Sequence, residues 1–330
     1  MSLRRRLALM VLFVGGLIAG CGTESKTSSD LLTFKDSRVV DLGSISPILV
    51  RYAGDLDGDA ESDLLVEDVK ARVWLWTSRT GARTRVLGID RDRWSQSPVP
   101  LSGGVVISGD PLVWLAARRH WPRKVLVRPV GERLRWTAGA RSANEAVVLD
   151  LSGGVSAVSV RAGNVSVEGL GHWGPQWASA FDGEVALLDR FDVSSLEDGR
   201  AVPRLALSDD TPVAAAVPVG DALLLLTETD ETEQWGEPAA PRLQVHVLPP
   251  GADKLDGVGP ILESGGSSEL NSDGSLTVPM PSGTYVVRAV EGRPSVGLLE
   301  GATSVSTFGD RQAAAIGRSG EVRVGTLRRR

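Results

Sequence analysis

The stretch GDLDGDAESDLLVEDVKARVWLW, residues 54–76, sets Asp55, Asp57, Asp59 and Asp63 into nine positions and then runs straight into an apolar segment. Carboxylates at that density repel one another, so the chain must gain something from the crowding: a bound cation, hydration in a surface turn, or chemistry. With Asp55 as position 1, Asp57 is position 3, Asp59 position 5, the Glu61 backbone carbonyl position 7 and Asp63 position 9. Oxygen ligands at odd positions of a tight loop suit Ca²⁺, which takes six to eight oxygens at about 2.3–2.6 Å. The competing reading is a solvated turn, since Asp and Gly form turns without any metal. Four carboxylates in nine positions weigh for the cation over the bare turn and over catalysis. Such an ion neutralises the carboxylates and fixes the turn, a structural task. The loop exits as LLVEDV with no helical pattern, and Val66 stands at position 12, where an EF-hand places a bidentate Glu. EF-hand and dockerin geometries are therefore excluded.

The remainder of the chain repeats the strand signal. No segment after residue 30 carries apolar residues at helical spacing over four turns, and 38 glycines and 18 prolines interrupt it. Between the interruptions lie short runs rich in Val, Leu, Ile and Thr: VVISG (105–109), AVVLDL (146–151), EVALLD (184–189), ALLLLTE (222–228), RLQVHVL (242–248) and GTYVVRAV (283–290). That rhythm is all-β, without the strand–helix alternation of a parallel α/β sheet. VWLWTSRTGARTRVL (73–87) resembles VWLAARRHWPRKVLV (113–127); LSGGVV (101–106) resembles LSGGVS (151–156); GDPLVWLA (109–116) resembles GDALLLLT (220–227). Together they suggest a degenerate unit of about 40–50 residues, the length of one four-stranded propeller blade. Residues 31–330 then make a β-propeller of about seven blades (six to eight) of antiparallel sheet. The alternative is two β-sandwich domains with a boundary near 178–200 or in 228–241.

The run from Gly54 to Gly88 resembles an FG-GAP/VCBS repeat, in which a D-x-[DN]-x-D-x-x-x-D loop precedes an apolar strand like DLLV and a second like VWLW. The resemblance implies a calcium-clipped propeller blade, with Asp55, Asp57, Asp59 and Asp63 as side-chain ligands and Glu61 through its carbonyl. Two features depart from the family. Ala60 stands where the family usually has a left-handed Gly, at a cost of roughly 1 kcal/mol. The loop also occurs once, since ELNSDGSL (269–276) and SLEDGRA (195–201) have too few carboxylates.

The N-terminus specifies an address. MSLRRR is a basic n-region and residues 7–19 are apolar, too short for the roughly 20 residues that span a bilayer but suited to a secretory signal. Ile18-Ala19-Gly20-Cys21 resembles the bacterial lipobox, and Cys21 is the sole cysteine. The resemblance implies a signal peptide over 1–20, an acylated Cys21, and a polar tether over 21–30 that anchors the protein to a bacterial membrane on its outer surface or periplasmic side. Gly22 in place of Asp permits the outer membrane. One Cys excludes a disulfide scaffold. Processing removes Arg4, Arg5 and Arg6, leaving 33 basic against 41 acidic side chains and a net charge of −8. An acidic chain argues against nucleic acid as the main partner.

Other motifs carry less. GLGHWG (169–174) fits G-x-G-x-x-G, but Pro175 follows and no helix opens to cradle a phosphate. The same stretch sets His172, Trp173 and Trp177 in a Gly/Pro loop, where the indoles could stack on a sugar or pack in the core. Trp74, Trp76, Trp114 and Trp136 lie in strand-like runs and read as core, and His120 and His246 as structural. No nucleophile elbow, Walker loop or C-x-x-C occurs. The expected whole is a lipid-anchored, monomeric propeller in the cell envelope, bound to a protein or a glycan. The rival is a carbohydrate-active hydrolase or lyase with two carboxyls about 5–9.5 Å apart.

Overall fold

The computed structural model describes residues 30–86, 98–108, 112–117, 127–130, 134–150, 152–161, 164–207, 211–229, 242–255 and 259–330, the side chains of 127–130, 134 and 135 excepted. The expected signal and Cys21 lie outside the described residues, as do His120 and positions 230–241 of the candidate boundary stretch 228–241.

The described residues contain strands and no helix. The strands fall into seven four-stranded antiparallel units. Six follow chain order: blade 1 (residues 47–86), blade 2 (99–130), blade 3 (134–172), blade 4 (177–206), blade 5 (213–263) and blade 6 (269–300). Blade 7 takes three strands from 302–329 and its fourth from the start of the chain, Asp30–Val40. That strand pairs antiparallel with Val322–Arg329, from Leu32↔Arg329 to Val40↔Val322. The two ends of the domain thus close the ring.

Local chemistry sets the hairpins. Asp182-Gly183, Asp198-Gly199 and Glu291-Gly292 have positive φ at both residues. The pairs Phe181↔Glu184, Glu197↔Arg200 and Val290↔Arg293 flank them. Two consecutive left-handed residues make the type I′ turn that matches strand twist, and X-Gly is the sequence that adopts it.

Packing explains why the middle strands read as unbroken apolar runs. Seven buried clusters fill the seven gaps between neighbouring blades. In ALLLL (222–226), Leu223 and Leu225 pack toward blade 4 while Leu224 and Leu226 pack toward blade 6. In blade 1, Leu64 and Val66 face blade 7 and Leu65 faces blade 2. Alternate side chains point to opposite faces, and both faces are buried, so no polar position is left. The seam between blades 7 and 1 is closed equally well. Ser304 Oγ accepts the Val50 N–H at 3.2 Å, Ser306 Oγ accepts the Tyr52 N–H at 3.0 Å, and Tyr52 stacks on Phe308 with centroids 4.2 Å apart.

This is a seven-bladed β-propeller. The two-sandwich alternative fails because 178–200 falls inside a single blade, whose strands run from Trp177 to Ala206. Of the three sequence echoes, one is structural: Val73–Trp76 and Leu112–Ala116 are the third strands of blades 1 and 2. The LSGGV pair spans a first turn in blade 2 and a second turn in blade 3, and Leu112–Ala116 does not correspond to Ala222–Thr229, a second strand.

Candidate metal centre

The aspartate loop joins the first strand of blade 1, Pro47–Gly54, to the second, Asp63–Asp68. Leu56 pins it: its side chain is buried in the cluster between blades 1 and 2. Pulling an apolar side chain inward drags its polar neighbours with it, and Asp57 is 1% exposed and Asp63 fully buried.

Each carboxylate has a distinct position. Asp55 folds back on the loop, accepting the N–H groups of Gly58 (2.7 Å) and Asp59 (3.1 Å) on Oδ1 and that of Ala60 (2.9 Å) on Oδ2. Ala60 has φ +65°, the left-handed conformation expected there. Asp63 Oδ2 accepts the Leu56 and Asp57 N–H groups at 2.7 and 3.2 Å, and Oδ1 accepts the Ser78 N–H at 2.8 Å. Asp57 differs: neither of its buried oxygens has a hydrogen-bond partner. Asp55, Asp57 and Asp63 each offer an oxygen within 4.8 Å of the others. Two oxygens on one Ca²⁺ at about 2.4 Å can be no farther apart than about 5 Å, so the spacing fits a shared divalent ion.

Asp59 stands outside that triad. Its Oδ1 accepts the Glu61 N–H at 2.8 Å, and Ser78 Oγ lies 3.0 Å from both its oxygens. The same hydroxyl is 3.1 Å from Asp63 Oδ1. A hydroxyl has one proton and here faces three carboxylate oxygens, so acceptors outnumber donors. The Glu61 side chain turns away to Arg38 on the ring-closing strand, 2.5 Å from Oε2 to Nη1. Ser78, in the turn after the third strand, joins the site without any sign in the Asp-rich motif.

The electrostatics follow the geometry. Burial pushes the Asp63 carboxyl up to about 6, against the pull of the Ser78 and Leu56 amides. Burial, then the negative charge of Asp59, raises Asp57 against the weaker pull of the nearby Arg79 amide. Tyr52 is raised by burial and by Asp55 and Asp63. All three shifts oppose more negative charge, the environment a divalent cation relieves. The contrasting case is Asp68 in the next turn. Although burial raises it, donors from Arg72 and Trp74 prevail and hold it at about 2.

The other sequence candidates separate. His172 is exposed at the end of the last strand of blade 3, opposite Gly154, and the Trp173 ring lies against Gly171 and the core between blades 3 and 4. Trp177 opens the first strand of blade 4 and lines a cavity of about 550 Å³ between the first strands of blades 2 to 6. His246 is buried in a strand with Nε2 3.1 Å from Thr227 Oγ1. Trp114 and Trp76 are core, as expected, and Trp74 and Trp136 are partly buried. Two carboxylates line the cavity, Glu228 and Glu269. Glu269 is ion-paired with Arg51, itself 2% exposed.

No known family matches the sequence, and no curated protein matches it. Solved structures do. The chain is similar to U3-55K (TM-score 0.52, 11% identity, 88% of this chain and 98% of that one). It is similar to BBS1N from its complex with ARL6DN (0.52, 12%, 91% and 98%) and to a chain of the mitotic checkpoint complex (0.54, 12%, 89% and 93%). At such identities the likeness is one of fold: these neighbours are β-propellers.

Proposed function

We propose that this protein is a bacterial envelope lipoprotein, anchored through Cys21, whose propeller is a rigid binding scaffold for an envelope protein or glycan, with blade 1 clasped by Ca²⁺. The observation that carries the clasp is Asp57, a buried carboxylate without a donor, set between Asp55 and Asp63. A polar group so placed costs stability unless something satisfies it. Asp55, Asp57 and Asp63 would hold the ion, with Asp59 and Ser78 beside them. Its task is to neutralise the triad and stiffen the turn.

Binding is favoured over hydrolysis by the cavity's carboxylates. Two-carboxyl glycosidase chemistry needs both groups free to exchange protons or attack. Here Glu269 is held by a buried guanidinium, leaving Glu228 as the free carboxylate among the described lining residues. A propeller presents loops on two faces of a fixed disc, which suits recognition.

The anchor is tested by growing a bacterial host with labelled palmitate. The wild-type chain should take up label and sediment with membranes, and Cys21→Ala should do neither. Equal labelling of the two would refute the anchor. Photo-crosslinking of the anchored protein in intact cells, against a glycan array probed with the purified chain, then decides which partner class is bound.

A further inference from the structure

Beyond the clasp, the central cavity has a chemistry of its own. Its volume, about 550 Å³, lies within the range of small-molecule sites. Its wall mixes three kinds of group. Trp177 and Phe181 supply aromatic surface, and Gln176 and Ser268 supply donors and acceptors. Arg190 and Glu228 supply one charge of each sign.

The two charges are placed by backbone bonds at the start of blade 5. The Val213 N–H donates to the Arg190 carbonyl at 2.8 Å, and the Glu228 N–H donates to the Pro212 carbonyl at 2.8 Å. Both residues are exposed. The Arg190 guanidinium sits 4.9 Å from the Phe191 ring centroid, which holds its planar fork. Deeper in, Arg51 and Glu269 cancel each other.

These features select a class of ligand. An anion would want a net positive wall, and the charges here balance. An acyl chain would want an apolar one, and planar polar side chains interrupt this one. A neutral saccharide matches both parts: its C–H faces lie on aromatic rings, and its hydroxyls both donate and accept, which suits Gln, Ser, Arg and Glu together. We infer that the central cavity binds a neutral saccharide, seated on Trp177 and gripped at its hydroxyls by Gln176, Arg190 and Glu228. This deepens the glycan arm of the proposed function and rests on it. Glu228, the one carboxylate of the described wall without an ion-pair partner, acts as a hydrogen-bond acceptor for the sugar.

The test is calorimetric and fluorescence titration of the full chain with cellobiose, maltose and N,N′-diacetylchitobiose, with glucuronate as the charged control. At least one neutral disaccharide should bind saturably and shift tryptophan emission, and glucuronate should bind no more tightly. Gln176→Ala and Glu228→Gln should each weaken binding about tenfold, the value of one hydrogen bond to a charged or well-placed group. Both side chains are solvent-accessible, so the fold should survive, as a thermal melt will confirm. Trp177 packs against two blade cores, so its substitution is not relied on. Absence of binding by all three disaccharides would overturn the inference and the glycan arm, leaving the anchor and an envelope-protein partner standing. Saccharide binding that ignores both substitutions would overturn the site alone.

Discussion

Asp57→Asn separates a metal clasp from a merely crowded turn, because the two readings demand opposite signs. Asn keeps the shape of the side chain and removes its charge. Asp57 stands within 4.8 Å of two other carboxylates, and neither of its oxygens makes a well-formed hydrogen bond. Two unit charges at that distance repel by about 3 kcal/mol at an effective dielectric constant of 20. An unsatisfied buried polar group costs about 1–3 kcal/mol more. In chelator the Asn variant should therefore match or exceed the wild type, by about 1–3 kcal/mol. Calcium should reverse the order. At a hundred times its dissociation constant it adds about 2.7 kcal/mol to the wild type. With an unfolding entropy of about 2 cal/mol/K per residue, a domain of this size should rise about 4 °C in Tm. The variant should gain little.

The pH dependence provides a control. Without a cation, Asp63 titrates near 6, above its ordinary 3.8. A raised folded pKa stabilises below about 4 and loses that contribution as pH rises through 6, about 3 kcal/mol in all. Protons and Ca²⁺ compete for the same oxygens, so the calcium increment should shrink below pH 6. The assay is thermal melting by circular dichroism in EGTA and in millimolar Ca²⁺, at pH 7.5 and 5. A variant less stable in EGTA that keeps the full calcium response would refute the reasoning, as would a wild type indifferent to chelation.

Three further outcomes follow from the packing. Glu269→Gln strands the buried Arg51 and should cost about 3–5 kcal/mol, whereas adding Arg51→Met should recover most of it; urea melts of the single and double variants check this, and equal losses would break the pairing. Gly139→Ala should destabilise by about 1–3 kcal/mol, because a methyl there would meet the Ala180 carbonyl oxygen at 2.1 Å where the first strands of blades 3 and 4 touch; an unchanged midpoint would show that the contact yields. Burial lowers the His246 pKa, so its contribution is present above about 6.5 and lost as pH falls below it; melts in saturating Ca²⁺ should show a drop between pH 7 and 5 that His246→Gln reduces.

Legibility in the sequence varied with how local the cause was. The strand–turn rhythm reported the fold class because type I′ turns and two-faced burial act within a few residues: Asp182-Gly183 and ALLLL (222–226) each carry their own structural reason. The blade repeat was visible only where side chains recur at one blade position, as in VWLW and VWLA. Elsewhere blade starts are spaced from 33 to 56 residues apart, and any hydrophobic residue of adequate volume fills the gap between blades, so little identity survives. The acidic cluster was legible because Asp55, Asp57 and Asp63 lie within nine positions of one another. Ser78 was not, since it arrives from a different turn. Arg51 and Glu269 meet 218 residues apart, and the cavity wall is drawn from five blades. Such contacts are made by ring closure, which no local pattern encodes.

The position of the aspartate loop bears on why a single copy would serve. A propeller ring is weakest where its ends meet, because there the chain supplies no covalent link between strands of the closing blade. Here the closing strand Asp30–Val40 continues through a six-residue link, 41–46, into the first strand of blade 1. Arg38 of that closing strand pairs with Glu61 of the aspartate loop and lies 5.5 Å over the Trp76 ring of blade 1. The loop thus braces the seam from one side while Tyr52, Phe308, Ser304 and Ser306 brace it from the axis. An ion that stiffens residues 55–63 would hold the Glu61 backbone in place for Arg38 and slow fraying of the N-terminal strand. The other gaps carry polar links of their own, such as Ser179 Oγ to the Ala216 carbonyl between blades 4 and 5 and Thr307 to Asn271 and Asp273 between blades 6 and 7, and among the described residues none holds a comparable carboxylate triad. On this reasoning calcium removal should loosen amide protection first in residues 30–40 and 55–63, with blades 3 to 5 unaffected. Hydrogen exchange with and without EGTA reads this directly, and uniform loosening around the ring would contradict the seam-bracing role.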